Sequence, residues 1–234
     1  MKKIIIAILF FTLTISVNAQ FSIGYSVGYG TYDMGDMKDM LKDMQKVPIQ
    51  TPDFQTTELQ LYIVDKFPGY ITHQIEAGYK LKRHEFGLKF MYMTTGGKLS
   101  LADYSGEYNI KAIMNGFKQE AFYRYYLLSD NQPFNFYLDV VPGIVINNFK
   151  LKENIKLYDG DSASDNINMH GVNFSVTPAI GASYRINSLL AVRASAGYEI
   201  NFPNAELEKD DYKLYYKSNW SGLRLSAGVS LYFK

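Results

Sequence analysis

Ser226-Ala227-Gly228-Val229-Ser230-Leu231-Tyr232-Phe233 is the stretch that decides the fold. Carried back three residues, Leu223, Leu225, Ala227, Val229, Leu231 and Phe233 are apolar, with Arg224, Ser226, Gly228 and Ser230 between them. Strict period-two alternation marks a β-strand with one apolar face. Lipid-facing residues alternating with lumen-facing ones are also what a membrane barrel strand requires. One amphipathic strand suits a soluble sandwich equally well, so the rest of the chain must decide.

Within that strand a polar residue, a Gly two positions on, and apolar residues three and five beyond the Gly (Ser226, Gly228, Leu231, Phe233) resemble the C-terminal signal read by outer-membrane barrel assembly machinery. The other end agrees. Met1-Lys2-Lys3 is a basic start, Ile4 to Val17 is an apolar stretch, and Val17-Asn18-Ala19 is a small-residue cleavage site. Residues 1–19 therefore read as a secretory signal peptide and 20–234 as one mature domain beginning at Gln20. The apolar run is short for a membrane helix. Past it no apolar run of helical membrane length follows, so insertion must be as β-structure.

Formal net charge is +1, which gives no electrostatic case for nucleic acid. There is no Cys, and so no disulfide or thiolate chemistry and no site for a lipid anchor. Twenty Tyr and 15 Phe against a single Trp suit aromatic girdles at two membrane–water interfaces.

The alternation predicts eight strands, at roughly 20–32, 69–81, 84–94, 108–128, 134–147, 172–186, 189–200 and 219–233. Apolar faces run through Phe21/Ile23/Tyr25/Val27/Tyr29, Phe86/Leu88/Phe90/Tyr92 and Leu190/Val192/Ala194/Ala196/Tyr198/Ile200, among others. Alternation does not say which face is inside, but the opposite face does. It carries Ser22, Gly24, Ser26, Gly28 and Gly30 on the first strand, and Asn173, Ser175, Thr177, Ala179, Gly181 and Ser183 on the sixth. A solvated strand face seldom uses so much Gly, whereas a narrow lumen needs small residues beside a few large charged ones. The chain reads as an eight-stranded antiparallel up-and-down transmembrane β-barrel.

Connections alternate long and short: a long one after strand 1, then 82–83, 95–107, 129–133, 148–171, 187–188 and 201–218. Short periplasmic turns and long outer loops are the asymmetry of bacterial outer-membrane barrels. The leader ending Asn18-Ala19-Gln20 and the strand Pro178-Ala179-Ile180-Gly181-Ala182 resemble the PorT-like outer-membrane barrel domains of Bacteroidota, over essentially the whole mature chain. The resemblance implies location in the outer membrane, contact with outer-membrane lipid, no cofactor, and no catalytic motif to carry over.

Pro142 and Pro178 fall mid-strand beside Gly143 and Ala179, where bulges are expected. His73 and Gln119 are polar on lipid-facing parity, which places them near an interface or beside a register shift. Twelve charges fall on the lumen parity. Nine of them, Glu76, Lys89, Glu120, Arg124, Asp139, Arg185, Arg193, Glu199 and Arg224, form the candidate polar network, with Lys80, Glu85 and Lys118 completing the set. They read either as an ion path or as a connected salt-bridge plug. Eight-strand diameter favours the plug.

Enzymatic signals are thin. Of the three histidines His73, His84 and His170, only His170 has loop partners in reach (Ser162, Ser164 or Asp165), and any polar loop offers these. Asp159-Gly160-Asp161 with Asp165-Asn166 could ligate Ca²⁺, but without EF-hand spacing. No metal or catalytic residue is therefore assigned. Met37, Met40, Leu41 and Met44 share one face of a short helical stretch, either lying across the barrel rim or acting as a gate. The leading functional reading is a non-enzymatic barrel that acts through its outer loops or as accessory to an envelope or secretion assembly, with an envelope protein as partner. Passive passage of small or apolar solutes is the alternative, and lipid modification the third.

Overall fold

The computed structural model describes residues 19–50, 56–104, 106–129, 132–158, 162–203, 207–209 and 212–233. The leader expected over 1–19 therefore lies, except for Ala19, outside the described residues, as does Asp159-Gly160-Asp161.

In chain order the elements are β1 (Ala19–Gly30), α1 (Gly35–Asp43), β2 (Lys46–Gln50), β3 (Thr56–Gln60), β4 (Tyr62–Lys66), β5 (Tyr70–Leu81) and β6 (His84–Ala102). There follow β7 (Gly106–Tyr126), β8 (Phe134–Leu157), β9 (Ser162–Arg185), β10 (Leu190–Phe202), β11 (Leu207–Lys209), β12 (Tyr212–Leu214) and β13 (Gly222–Phe233). Eight of these strands form a ring, β1-β5-β6-β7-β8-β9-β10-β13, in which each pairs antiparallel with the next. β13 returns to β1 over Phe21↔Phe233 through Gly30↔Arg224, so the sheet closes on itself and the ring has no edge.

The face assignment follows from exposure. On β1, Phe21, Ile23, Tyr25, Val27 and Tyr29 are 41–48% exposed while Ser22 is 1%. The same parity holds round the ring, with Phe86, Leu88, Phe90 and Tyr92 outside and Glu85 and Lys89 inside. Exposed aromatics lie near both ends of the apolar band: Tyr79, Phe86, Tyr123, Phe134 and Phe233 towards the short turns, Tyr29, Tyr92, Phe117, Phe174 and Phe202 at the other end. A closed ring that is apolar outside and charged within satisfies every requirement for crossing a bilayer. The fold is a transmembrane β-barrel.

Two expected loops are not loops. Most of 95–107 and 148–171 extends β6–β7 and β8–β9 into ladders that run to Ala102↔Glu107 and Lys156↔Ser162, residues 105 and 159–161 lying outside the described ones. The cause is an inversion of patterning along each strand. Tyr92, Phe117, Ile146 and Val172 lie side by side in register as one outward apolar row. The next outward row is Thr94, Asn115, Asn148 and His170, and from there on the outer face is polar apart from Ile113. The inner face changes in the opposite sense, with Met91, Met93, Leu99, Ile110, Ala112, Met114, Val145, Phe149 and Met169 all buried. Each strand keeps its period of two while the environment on both faces changes, so an alternation search for outward apolar residues stops at the boundary.

The prolines do not form bulges. The β8–β9 register runs without a shift through Val140↔Pro178 and Pro142↔Val176. Instead, pairing with the neighbouring strands is skipped for two residues: Gly143 pairs Glu120 and Val140 pairs Tyr123, with Pro142 between, and Gly197 pairs Ala179 and Ile200 pairs Val176, with Pro178 between. Each missing N–H is accommodated by a local gap of unchanged register. No register shift accompanies His73 or Gln119 either, and the His73 Nδ1 is 2.9 Å from the Tyr25 hydroxyl.

Candidate functional site

The bore is filled in two layers of opposite chemistry. Within the membrane layer, register sets opposite charges beside one another: Lys80↔Glu85↔Arg124↔Asp139 on β5 to β8, and Glu76↔Lys89↔Glu120 on β5 to β7. Alternating sign across strands is favourable where like charges would repel.

Among the described residues the ion pairs fall into two groups rather than the single connected network expected from the sequence. In the first, Arg124 pairs with both Asp139 oxygens at 2.8 and 2.9 Å and reaches Glu76 at 3.2 Å and Glu85 at 3.3 Å. Arg193 pairs with Glu76, Lys89 lies 3.8 Å from Glu76, and Tyr126 donates to Glu85 at 2.7 Å. Lys89, Arg124 and Arg193 thus meet Glu76, Glu85 and Asp139, three charges against three. In the second group Lys118 bridges Glu120 at 2.7 Å and Glu199 at 3.3 Å, and Arg224 holds Glu199 at 2.8 Å, two against two. Counted on these pairs each group balances, the condition under which buried charge is tolerated, while Lys80 stands over the Tyr126 ring towards the short turns.

Of the nine shortlisted residues, Glu76, Lys89, Arg124, Asp139 and Arg193 enter the first group, and Glu120, Glu199 and Arg224 the second. Arg185 joins neither: it reaches Gln20 at 3.3 Å and stacks over Tyr232 near the short-turn end. Glu85 and Lys118, off the shortlist, are hubs with no exposed surface. Parity alone could have promoted both.

Little space remains. A cavity of about 30 Å³ lies between the groups, bordered by Lys89, Glu120, Asp139, Thr177 and Arg224, and one of about 20 Å³ adjoins Glu76 and Arg193. These have room for one or two waters. Polar atoms of Glu120 and Arg193, which border these cavities and have no hydrogen-bond partner among the described residues, give such waters something to bind.

Above this layer the bore is apolar. Helix α1 sits at the mouth as its period predicts, with Met37, Met40 and Leu41 buried and Asp39, Lys42 and Asp43 exposed. Asp36 in the first turn and Lys42 in the last complement the helix dipole. The apolar face packs inward, so close to β6 that a Cβ on Gly97 would stand 2.3 Å from Leu41 Cδ1. Phe67, Leu61, Leu99, Phe149 and Trp220 complete this core, with Trp220 fully buried. Arg224 joins the layers: its guanidinium donates to Glu199 below and to the carbonyls of Trp220 and Thr31 above.

The catalytic candidates are dispersed. His73 and His84 face outward beside Tyr25 and Tyr123. His170 is not in a loop but on β9 opposite Asn148, with Asp165 on the other face and Ser162 and Ser164 six to eight residues away, roughly 20 Å or more along the strand. Asp165 and Asn166, as strand neighbours, also point to opposite faces, and no cluster of potential metal ligands occurs among the described residues.

No family model matches the chain, and no curated protein matches it by sequence. Among solved structures it is similar to Neisserial surface protein A, at 14% identity and TM-score 0.36, covering 92% of this chain and 98% of that one. The outer membrane protein OprG of Pseudomonas aeruginosa is similar at 12% identity and TM-score 0.43, covering 92% and 96%. The outer membrane protease OmpT of Escherichia coli follows at 11% and 0.39, covering 93% and 97%. At such identities the role of each residue must be argued from this chain's own geometry.

Proposed function

We propose that this chain is a non-conducting, non-enzymatic barrel of the bacterial outer membrane that acts through the part standing above the lipid. In this reading it has a structural or interaction role beside an envelope protein partner, as an accessory to an envelope or secretion assembly of the PorT-like kind. The observation that carries it is the double filling of the bore. Two ion-pair groups lie under an apolar core, and a cavity of only about 30 Å³ separates them among the described residues. A barrel that invests its lumen in packing leaves its outer surface and mouth to carry function. The contrast between the long hairpins and the two-residue turn at Lys82-Arg83 supports an extracellular side for the hairpins.

Planar-bilayer recording with the full chain tests this reading. A silent membrane at protein levels where a porin control conducts is the expected result. Reproducible single-channel steps would overturn it and put solute passage first.

A further inference from the structure

Above the lipid boundary the outward face of β6, β7 and β8 is strongly basic. Lys98, Lys111 and Lys152 lie directly opposite one another across three adjacent strands. Lys150 is opposite Ile113, one outward row nearer the membrane, and Lys156 is opposite Glu107 farther out. None of the five has an ion-pair partner among the described residues. The chain as a whole is nearly neutral, with 24 basic and 23 acidic residues, so this is local segregation of charge. The acidic positions stand at the margins: Asp65 on β4 opposite Lys98, and Glu107 at the outer end.

Like charges opposite one another on a sheet are destabilising, so nothing in the folding of the sheet selects this arrangement. Lys111, Lys150 and Lys152 form a triangle with sides of roughly 5–8 Å between Cβ atoms, close enough for three ammonium groups to converge on one phosphate. Beside them Asn154, Asn166 and Asn168 share the outward face and offer amides to neighbouring hydroxyls.

Height decides what this surface meets. The rows of Lys150 and Lys111 lie four and six residues beyond the apolar row of Tyr92, Phe117, Ile146 and Val172. At the usual rise and a tilt of about 40°, that is roughly 10–15 Å above the row. Phospholipid headgroups extend only about 5–8 Å beyond the hydrocarbon on each side, while a phosphorylated saccharide headgroup reaches further. The face looks outward from the barrel wall, across the leaflet, so tall headgroups of the lipids flanking the barrel stand directly against it.

We propose that the lysine face of β6–β8, set in register just above the lipid boundary, docks the phosphorylated saccharide headgroups of the surrounding outer-leaflet glycolipid. The proposal rests on the outer-membrane reading above. It adds the partner class, and it places the attachment on the barrel wall and not at the mouth.

The test uses the full chain in phosphatidylcholine vesicles doped with lipid A or with dephosphorylated lipid A, followed by detergent extraction and quantification of the lipid retained. Wild type should retain lipid A in preference to the dephosphorylated form, a comparison that needs no variant. Lys111→Gln/Lys150→Gln/Lys152→Gln should lower lipid A retention by about tenfold or more. Lys82→Gln/Arg83→Gln at the short-turn end should leave it unchanged. Equal retention of the two lipids, equal loss in both variants, or full displacement by inorganic phosphate at matched concentration would overturn the proposal. Flotation of wild type with undoped vesicles separates the two readings. Failure to float sinks the membrane reading itself, while flotation without lipid A preference sinks only the docking surface.

Discussion

Trp220 donates its indole N–H to Asn147 Oδ1 at 2.6 Å, tying the segment that precedes β13 to the inner face of β8. Both residues are fully buried, and Tyr32 packs edge-on against the indole with ring centroids 4.8 Å apart. Trp220 is the single Trp, so its emission reports on the upper core alone. Wild-type emission should be blue-shifted and shielded from acrylamide. Asn147→Leu, which strands the indole N–H, should cost about 1–3 kcal/mol and shift the emission to the red. An unchanged spectrum and midpoint would show that the bond contributes nothing.

Tyr32 adds a pH dependence. Burial pushes its phenol up to about 12, against the nearby Arg224, which lowers it. Below pH 10 the group is protonated in folded and unfolded chains alike. Between about 10 and 12 only the unfolded chain releases the proton, so stability falls as pH rises through that window, by up to roughly 2–3 kcal/mol. The Tyr32 hydroxyl has no hydrogen-bond partner among the described residues. Tyr32→Phe should therefore be close to neutral at pH 7 and lose less stability than wild type from pH 10 to 12. Parallel curves in alkaline urea titrations would contradict this.

Gly97 is where α1 meets the wall. Val at this position would press on Leu41 and on Phe67, whose ring lies 3.0 Å from the added carbon. Gly97→Val should lift α1 and open 35–43 to protease, while heat-modifiable migration in SDS gels, which reports the closed ring, persists. Protection equal to wild type would mean that the helix is held elsewhere.

Arg193 and Arg224 lie in separate ion-pair groups, so replacing both with Ala leaves uncompensated charge in each group. Each single change should cost about 3–5 kcal/mol. The two should add, since they share no partner. The double variant should leak ions in planar bilayers where wild type is silent. Additivity tested by single and double unfolding midpoints would fail if the groups were one network.

Phe233 stands outside the closing seam, with its ring centroid 6.4 Å from that of Phe21. Phe233→Asp places a charge on the lipid face at the strand whose residues Ser226, Gly228, Leu231 and Phe233 resemble an assembly signal. The variant should be lost to periplasmic proteolysis. Normal abundance in outer-membrane fractions would remove the signal reading.

The membrane half of the fold was legible because its rule is local. Every second residue faces lipid, and Phe21 to Tyr29 or Leu223 to Phe233 declare it without reference to any other strand. The upper half hid behind the same rule applied in reverse. Lys98 and Lys152 look like loop residues until β6, β7 and β8 are aligned and set beside Lys111, and Met91, Met93 and Leu99 look like interruptions until the bore is known to be apolar there. The lumen charges were legible as a set from parity, but their division into two groups was not. Which carboxylate Lys118 or Arg124 meets depends on stagger between strands, a quantity with no expression in any single strand.

The two pieces that fill the mouth hang from the same seam. Helix α1 follows β1, Trp220 precedes β13, and these two strands are the first and last of the ring. The ladder between them continues past the strands: Thr31 N–H to Leu223 O at 3.0 Å, Asp33 N–H to Ser221 O and Met34 N–H to Asn219 O, both at 2.9 Å. The stopper is thus stitched by the closure of the wall, and its two pieces, joined to each other by Tyr216 to Asp43 and Asn219 to Asp33, meet where the first strand finds the last. A barrel caught half-assembled, with that seam unzipped, is an uncorked one, and the moment of sealing is the moment of completion.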